Sequence, residues 1–118
     1  MKQKLVAIAA SLVFGLGAAW ASAEQVRLGV LTDMSGTFSD LSGAGSVEAA
    51  RLAIEEFGGS VLGEKIELLS ADHQHKPEVG LNIARQWLDR DGVDVILDVP
   101  NSGIALAVAN LVKEKNKI

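Results

Sequence analysis

Asp33, Asp72 and Asp98 each stand at the end of an apolar stretch, with Met34-Ser35, His73, His75 and Asn101-Ser102 close to them in the chain. Carboxylates gathered at one edge could move protons or hold magnesium, although capping a helix or bonding within a loop also accounts for each of them. His73 and His75 alternate, so an extended segment would put both on one side. Together with Asp72 they make at most an incomplete metal site, because tetrahedral zinc takes three or four protein ligands. A polar surface loop is the better reading of this pair, with the rim of a binding crevice second. No nucleophile elbow and no base beside a reactive group is found, and neither a cofactor nor a resident metal is expected.

Gly43-Ala44-Gly45 superficially matches a dinucleotide fingerprint. That fingerprint sits directly after the first strand, whereas this one follows a long loop, and Glu48 stands where its third glycine should be. Pro100-Asn101-Ser102-Gly103 is more informative. Asn101 or Ser102 should cap the helix that follows, and the free N–H groups of a helix start can hold a carboxylate without a metal or a basic side chain.

Several elements must position these residues. Residues 25–31 (QVRLGVL) alternate as a first strand. The polar loop over residues 32–45 is longer than an ordinary strand-to-helix connection, which marks it as a ligand-facing segment at the carboxyl end of the strand. Val47, Ala50, Ala53, Ile54 and Phe57 then form a helical stripe expected to be buried, with Ser46 as its cap and Gly58-Gly59 as its stop. A bend at residues 61–64 feeds a second strand over residues 65–70, with a loop from Ala71 onward. Pro77 opens a helix that runs to about Arg90 and carries Val79, Ile83 and Trp87, the last read as core. Residues 93–99 (VDVILDV) read as a third strand covered on both faces, and Ile104, Val108, Leu111 and Val112 line one side of a last helix. Strand-loop-helix units in this order describe an α/β fold, a parallel sheet with flanking helices.

The chain has 118 residues, 11 basic and 15 acidic, for a net charge of −4. It carries no basic patch, which excludes nucleic acid as a partner. It also lacks cysteine, so disulfide and thiolate chemistry are excluded. A short basic start (Lys2, Lys4), an uncharged apolar run and Ala21-Ser22-Ala23 have the three-part order of a signal peptide over residues 1–23, cleaved after Ala23. The expected product is exported, without direct membrane anchoring. Residues 116–118 read as the turn into a further strand, so residues 24–118 are expected to be a partial, truncated domain.

The order of these elements resembles the start of a periplasmic substrate-binding protein of ABC importers, of the branched-chain amino acid (leucine/isoleucine/valine-binding) type. The resemblance is carried by residues 26–36 (VRLGVLTDMSG), the helix over 47–57, the Leu62-Gly63 bend, Asp72, the helix over 77–90 and the strand-turn-helix over 93–108. It implies the type I fold of two lobes that close on a ligand, with a membrane permease as partner. It also implies that Ser102 holds the ligand carboxylate. Asp33, Met34 and Ser35 from the first loop, and Asp98 and Asn101 from the approach to Ser102, complete the implied ligand contacts, and residues 38–45 line the entrance. The polar approach Asp98-Val99-Pro100-Asn101-Ser102 departs from other members and is similar to an alphaproteobacterial subgroup that includes binders of aromatic acids and other small solutes. The implied function is capture of a small carboxylate-bearing solute for import. The alternative is a periplasmic ligand-sensing protein of the same fold without a transport role.

Overall fold

The computed structural model describes residues 25–118, so the expected signal peptide lies outside the described residues. The elements are β1 (Val26–Thr32), α1 (Gly43–Phe57), β2 (Ser60–Val61), β3 (Glu64–Asp72), α2 (Pro77–Asp89), β4 (Val95–Leu97) and α3 (Ser102–Glu114). They build one sheet in the order β2-β3-β1-β4. β1 is central and parallel to both β3 and β4, with Leu28 opposite Leu68 on one side and Val95 on the other.

β2 corrects the all-parallel expectation, because it pairs antiparallel with β3 at the edge. What reads as a bend is a two-residue hairpin in which Leu62 and Gly63 both adopt positive φ (51° and 81°). That is the backbone a tight hairpin between twisted strands requires. β3 runs two residues further than expected, to Asp72, and β4 is confined to three residues because Asp98 leaves the strand with φ 53°. Beyond α3, the N–H of Ile118 donates to the Asp94 carbonyl (3.1 Å) and its carbonyl accepts from Ile96 N–H (2.8 Å), so Ile118 already bonds to the open edge of β4.

The crossovers place α1 on one face of the sheet and the α2–α3 pair on the other. Pro77 opens α2 as expected, since its missing N–H is lost at a position that needs no donor. The dry core lies on the α2–α3 side, where Leu31, Ala84, Trp87, Val93, Ile104, Val108 and Leu111 pack together. Trp87 fits because β1 offers no side chain at Gly29, where an added Cβ would lie 2.5 Å from the indole ring. α1 differs from its expected form. It starts at Gly43 rather than after Ser46, and its apolar stripe is not sealed: Val47, Ala50 and Ile54 are half-buried, while Ala53 and Phe57 are exposed. No helix among the described residues is long and apolar enough to cross a membrane.

Candidate functional site

β1 has a neighbour on each side, one reached through α1 on one face and the other through α2 on the opposite face. In an open α/β sheet the crevice forms where connections diverge in this way, outside the carboxyl ends of the strands. Three segments meet there: the loop after β1, the turn after β3 and the turn from β4 into α3.

The three aspartates do gather at this edge, but each is engaged. Asp33 is fully buried, and its carboxylate accepts N–H bonds from Gly36 (2.6 Å) and Phe38 (3.0 Å). The Phe38 N–H contributes most to holding this carboxyl below its ordinary range, against the opposing effect of burial. Asp33 therefore shapes the first loop from inside. Asp72 takes the Ser35 hydroxyl (2.6 Å) and the N–H groups of Met34 (3.0 Å) and Gln74 (2.7 Å). Burial would raise its pKa, but these donors outweigh burial and leave it lowered. Ser35 and the Met34 backbone are thus tied to the end of β3, while the Met34 side chain remains exposed.

Thr32, which sequence reasoning passed over, joins the two loops on either side of the crevice. Its buried hydroxyl donates to Asp98 (2.8 Å) and accepts from Gly43 N–H (2.9 Å), linking the exit of β4 to the start of α1. This bond fixes the early helix start, and Gly43 suits the position because φ is +56° and a Cβ would come within 3.0 Å of the Asp33 carbonyl. Ser42 bonds back to the Phe38 carbonyl through its hydroxyl and contributes no side-chain cap. The available signal was the strand alternation, which puts Thr32 in phase with Leu28 and Val30 and so directs its hydroxyl toward the α1 side.

α3 is capped by Asn101, whose side chain accepts the Ile104 N–H at 3.0 Å. Ser102 therefore occupies the first helical position and is exposed at the crevice rather than serving as the cap. Of the two residues that the sequence offered as caps, the structure selects Asn101.

The histidine pair departs from the surface-loop expectation. His73 is fully buried, continuing the phase of Leu69 and Ala71 toward the α2–α3 core. Its Nδ1 accepts the His75 N–H (3.0 Å), which leaves the proton on Nε2. Burial lowers its pKa, opposed by Asp33 and Asp72. His75 remains at the rim: its ring packs against Phe38 at 5.3 Å between centroids, and its Nδ1 is 3.9 Å from the Asp33 carboxylate. Among the described residues no group of three or more His, Asp or Glu side chains is arranged to hold a metal ion.

A family model described as periplasmic binding protein matches residues 25–118. The chain is similar to a branched-chain amino acid ABC transporter periplasmic ligand-binding protein from Burkholderia xenovorans, with 61% identity and a TM-score of 0.77 over 80% of this chain and 25% of that one. A periplasmic binding protein from Burkholderia mallei shares 42% identity with a TM-score of 0.78, over 81% of this chain and 26% of that one. A Rhodopseudomonas palustris ABC transporter solute-binding protein, solved in complex with 3,4-dihydroxybenzoic acid, shares 26% identity with a TM-score of 0.68, over 77% of this chain and 25% of that one. The chain spans about a quarter of the length of these structures. No curated protein sequence matches it.

Proposed function

The chain belongs to the periplasmic binding protein family, and from that premise we propose that it serves as the exported solute-binding part of an ABC importer. In this reading residues 1–23 are a signal peptide cleaved after Ala23, residues 24–118 are part of the first lobe, and a membrane permease receives the ligand. The solute is a small carboxylic acid, either a branched-chain or related amino acid or an aromatic acid. The observation that carries this reading is the start of α3, where Asn101 does the capping and Ser102 stands exposed at the first helical position. The Ser102 hydroxyl and the first-turn N–H groups then receive the ligand carboxylate, which the positive end of the helix favours.

The other residues of the implied contact set divide by role. Asn101 and Asp98 flank the carboxylate position, and Met34 offers an exposed apolar side chain from the first loop. Asp33 and Ser35 act as positioning residues, since their polar atoms are committed to the loop and to Asp72. A single wall of a closing site supplies a fraction of the contact and water exclusion that affinity requires. Residues 24–118 alone are therefore expected to bind weakly.

The test is an NMR titration of the chain with leucine and with benzoate, read on the backbone amides of Ser102 and Gly103. Both amides should move with any ligand bound by its carboxylate, and Ser102→Ala should weaken that binding about tenfold, the loss expected for a hydrogen bond to a charged group. Unmoved amides would overturn the reading. Micromolar heats in calorimetry would overturn the expectation of weak binding.

A further inference from the structure

Asp72 and His73 fasten the turn that follows them in the same manner. Each accepts, through its side chain, the N–H two residues further on: Asp72 from Gln74 (2.7 Å) and His73 Nδ1 from His75 (3.0 Å). Asn and Asp ordinarily supply this bond in turns. Here the second fastener is an imidazole. A backbone N–H can only donate, so its bond to Nδ1 requires a lone pair there and a neutral ring. That bond is the only one the ring makes among the described residues, since the buried Nε2 has no partner.

The bond holds an unfavourable stretch of backbone. Gln74 and His75 are consecutive residues with positive φ, 54° and 56°, where a Cβ meets steric opposition. His73 itself is anchored on both sides, its N–H donating to the Thr32 carbonyl (2.8 Å) and its carbonyl accepting from Lys76 N–H (2.9 Å). The turn so fixed carries the His75 ring to the crevice. There it packs on Phe38 at 5.3 Å and lies 3.3 Å from the Asn101 amide nitrogen.

Charges reach His73 from three segments: Asp33 after β1, Asp72 at the end of β3, and His75 in the turn itself. α2 meets it at Gly80, where an added Cβ would touch both His73 and Ile104 of α3, and neither residue is charged. Lys76 and Glu78 at the start of α2 are exposed, and α3 carries no charged residue before Lys113. Burial outweighs the two carboxylates and holds the imidazole below its usual 6.5. The same carboxylates offer a counter-charge once a proton arrives.

We propose that the His73–His75 bond is an acid-sensitive latch on the crevice rim: a proton taken up at His73 Nδ1 parts the bond, and the His75 ring leaves Phe38 and Asn101. With Nδ1 protonated, two donors face each other and nothing offsets the positive φ of His75. Asp72 keeps its hold on Gln74, because its carboxylate stays ionised into stronger acid. The change is therefore confined to the rim. The latch is complete above pH 6.5 and opens as the pH falls through the folded value of His73. It needs no solute, so it stands apart from the solute-binding reading.

The experiment is an NMR titration of the full chain from pH 7.5 to pH 5, reading the imidazole nitrogens of both histidines, the His75 amide and the Phe38–His75 ring contact, with far-UV circular dichroism alongside. Protonation of His73 Nδ1, loss of the His75 amide hydrogen bond and loss of the ring contact should share one midpoint below 6.5, with the circular dichroism unchanged. In His73→Asn the side-chain oxygen replaces Nδ1 as the acceptor and does not titrate, so the ring contact should persist to pH 5. The latch is overturned if His73 stays neutral to pH 5, if it protonates while the ring contact holds, or if the contact follows the titration of His75 instead. It is equally overturned if helix content is lost at the same midpoint, or if His73→Asn releases the ring in acid. The shared midpoint is measured in the unsubstituted chain, so it decides the matter even if His73→Asn does not fold.

Discussion

On one side of the sheet, Leu31, Val93 and Ile104 have no exposure and Trp87 of α2 is sealed against Gly29 of β1. On the other side, Val26, Leu28, Ile66 and Leu97 look across an apolar groove at Ala50, Ala53, Ile54 and Phe57, and none of these residues is fully buried. The difference comes from helix number and residue size. Two helices pack against each other as well as against the sheet on the first side, and Gly29 and Gly80 let Trp87 and Ile104 approach closely. A single helix with small residues along its inner stripe covers the second. Periodicity tells which face of a helix turns inward, but it does not tell how much of that face is covered.

The largest expected effect tests this contrast directly. Trp87→Ala should cost about 3–5 kcal/mol, since it leaves a cavity on the dry side. Ile54→Ala, on the open side, should cost only about 1 kcal/mol, in line with the modest apolar area it removes from water. Urea unfolding followed by circular dichroism measures both, and equal losses would show that the two faces are equally tight.

A second effect sharpens the contrast through pH. The His73 imidazole is held below its usual value of 6.5 by burial on the α2–α3 side. The unfolded chain takes up a proton at that ordinary value while the folded chain does not. Stability that is complete above this pH should therefore begin to fall as the pH drops through it, and the loss should level off below the folded value. His73→Asn should remove this step from urea midpoints measured between about pH 8 and pH 5. Asp33 and Asp72, both lowered, contribute above the carboxylate range, and their contribution is lost only under stronger acid. A decline near neutrality that persists in His73→Asn would remove His73 from the explanation.

The smallest effect belongs to Phe57. It is 66% exposed at the end of α1, and Phe57→Ser should change stability by no more than about 0.5 kcal/mol. A clear drop in melting temperature would mean that the groove closes over this ring.

The sequence made the fold class and the order of the elements legible because long, strongly patterned segments such as residues 77–89 and 102–114 announce themselves by period. Trp87 as core and Pro77 as a helix start were readable for the same reason. The failures lie where a distant partner decides a local matter. Ser46 resembles a cap, yet α1 begins earlier because Gly43 N–H reaches Thr32, 11 residues back. His73 resembles a loop residue beside Gln74 and His75, but strand phase carries it into the core. At the crevice, the types and rough positions of Asp33, Asp98, Asn101 and Ser102 were visible. Their division of labour was not, since capping by Asn101 and the inward commitment of Asp33 depend on backbone geometry that spacing does not encode.

The hairpin at Leu62-Gly63 has a consequence for how the chain behaves in a crowd. β2 pairs through only two residues, whereas β3 extends over nine. Among the described residues most of the outer rim of β3 is therefore a row of backbone groups that another extended chain could template upon. Lys65 and Glu67 stand exposed on that strand, and charged side chains on an edge disfavour the addition of another strand by keeping the edge hydrated. A short antiparallel cover followed by a charged pair works as a guard against self-association, placed on the strand whose far end carries Asp72 and the turn to His75.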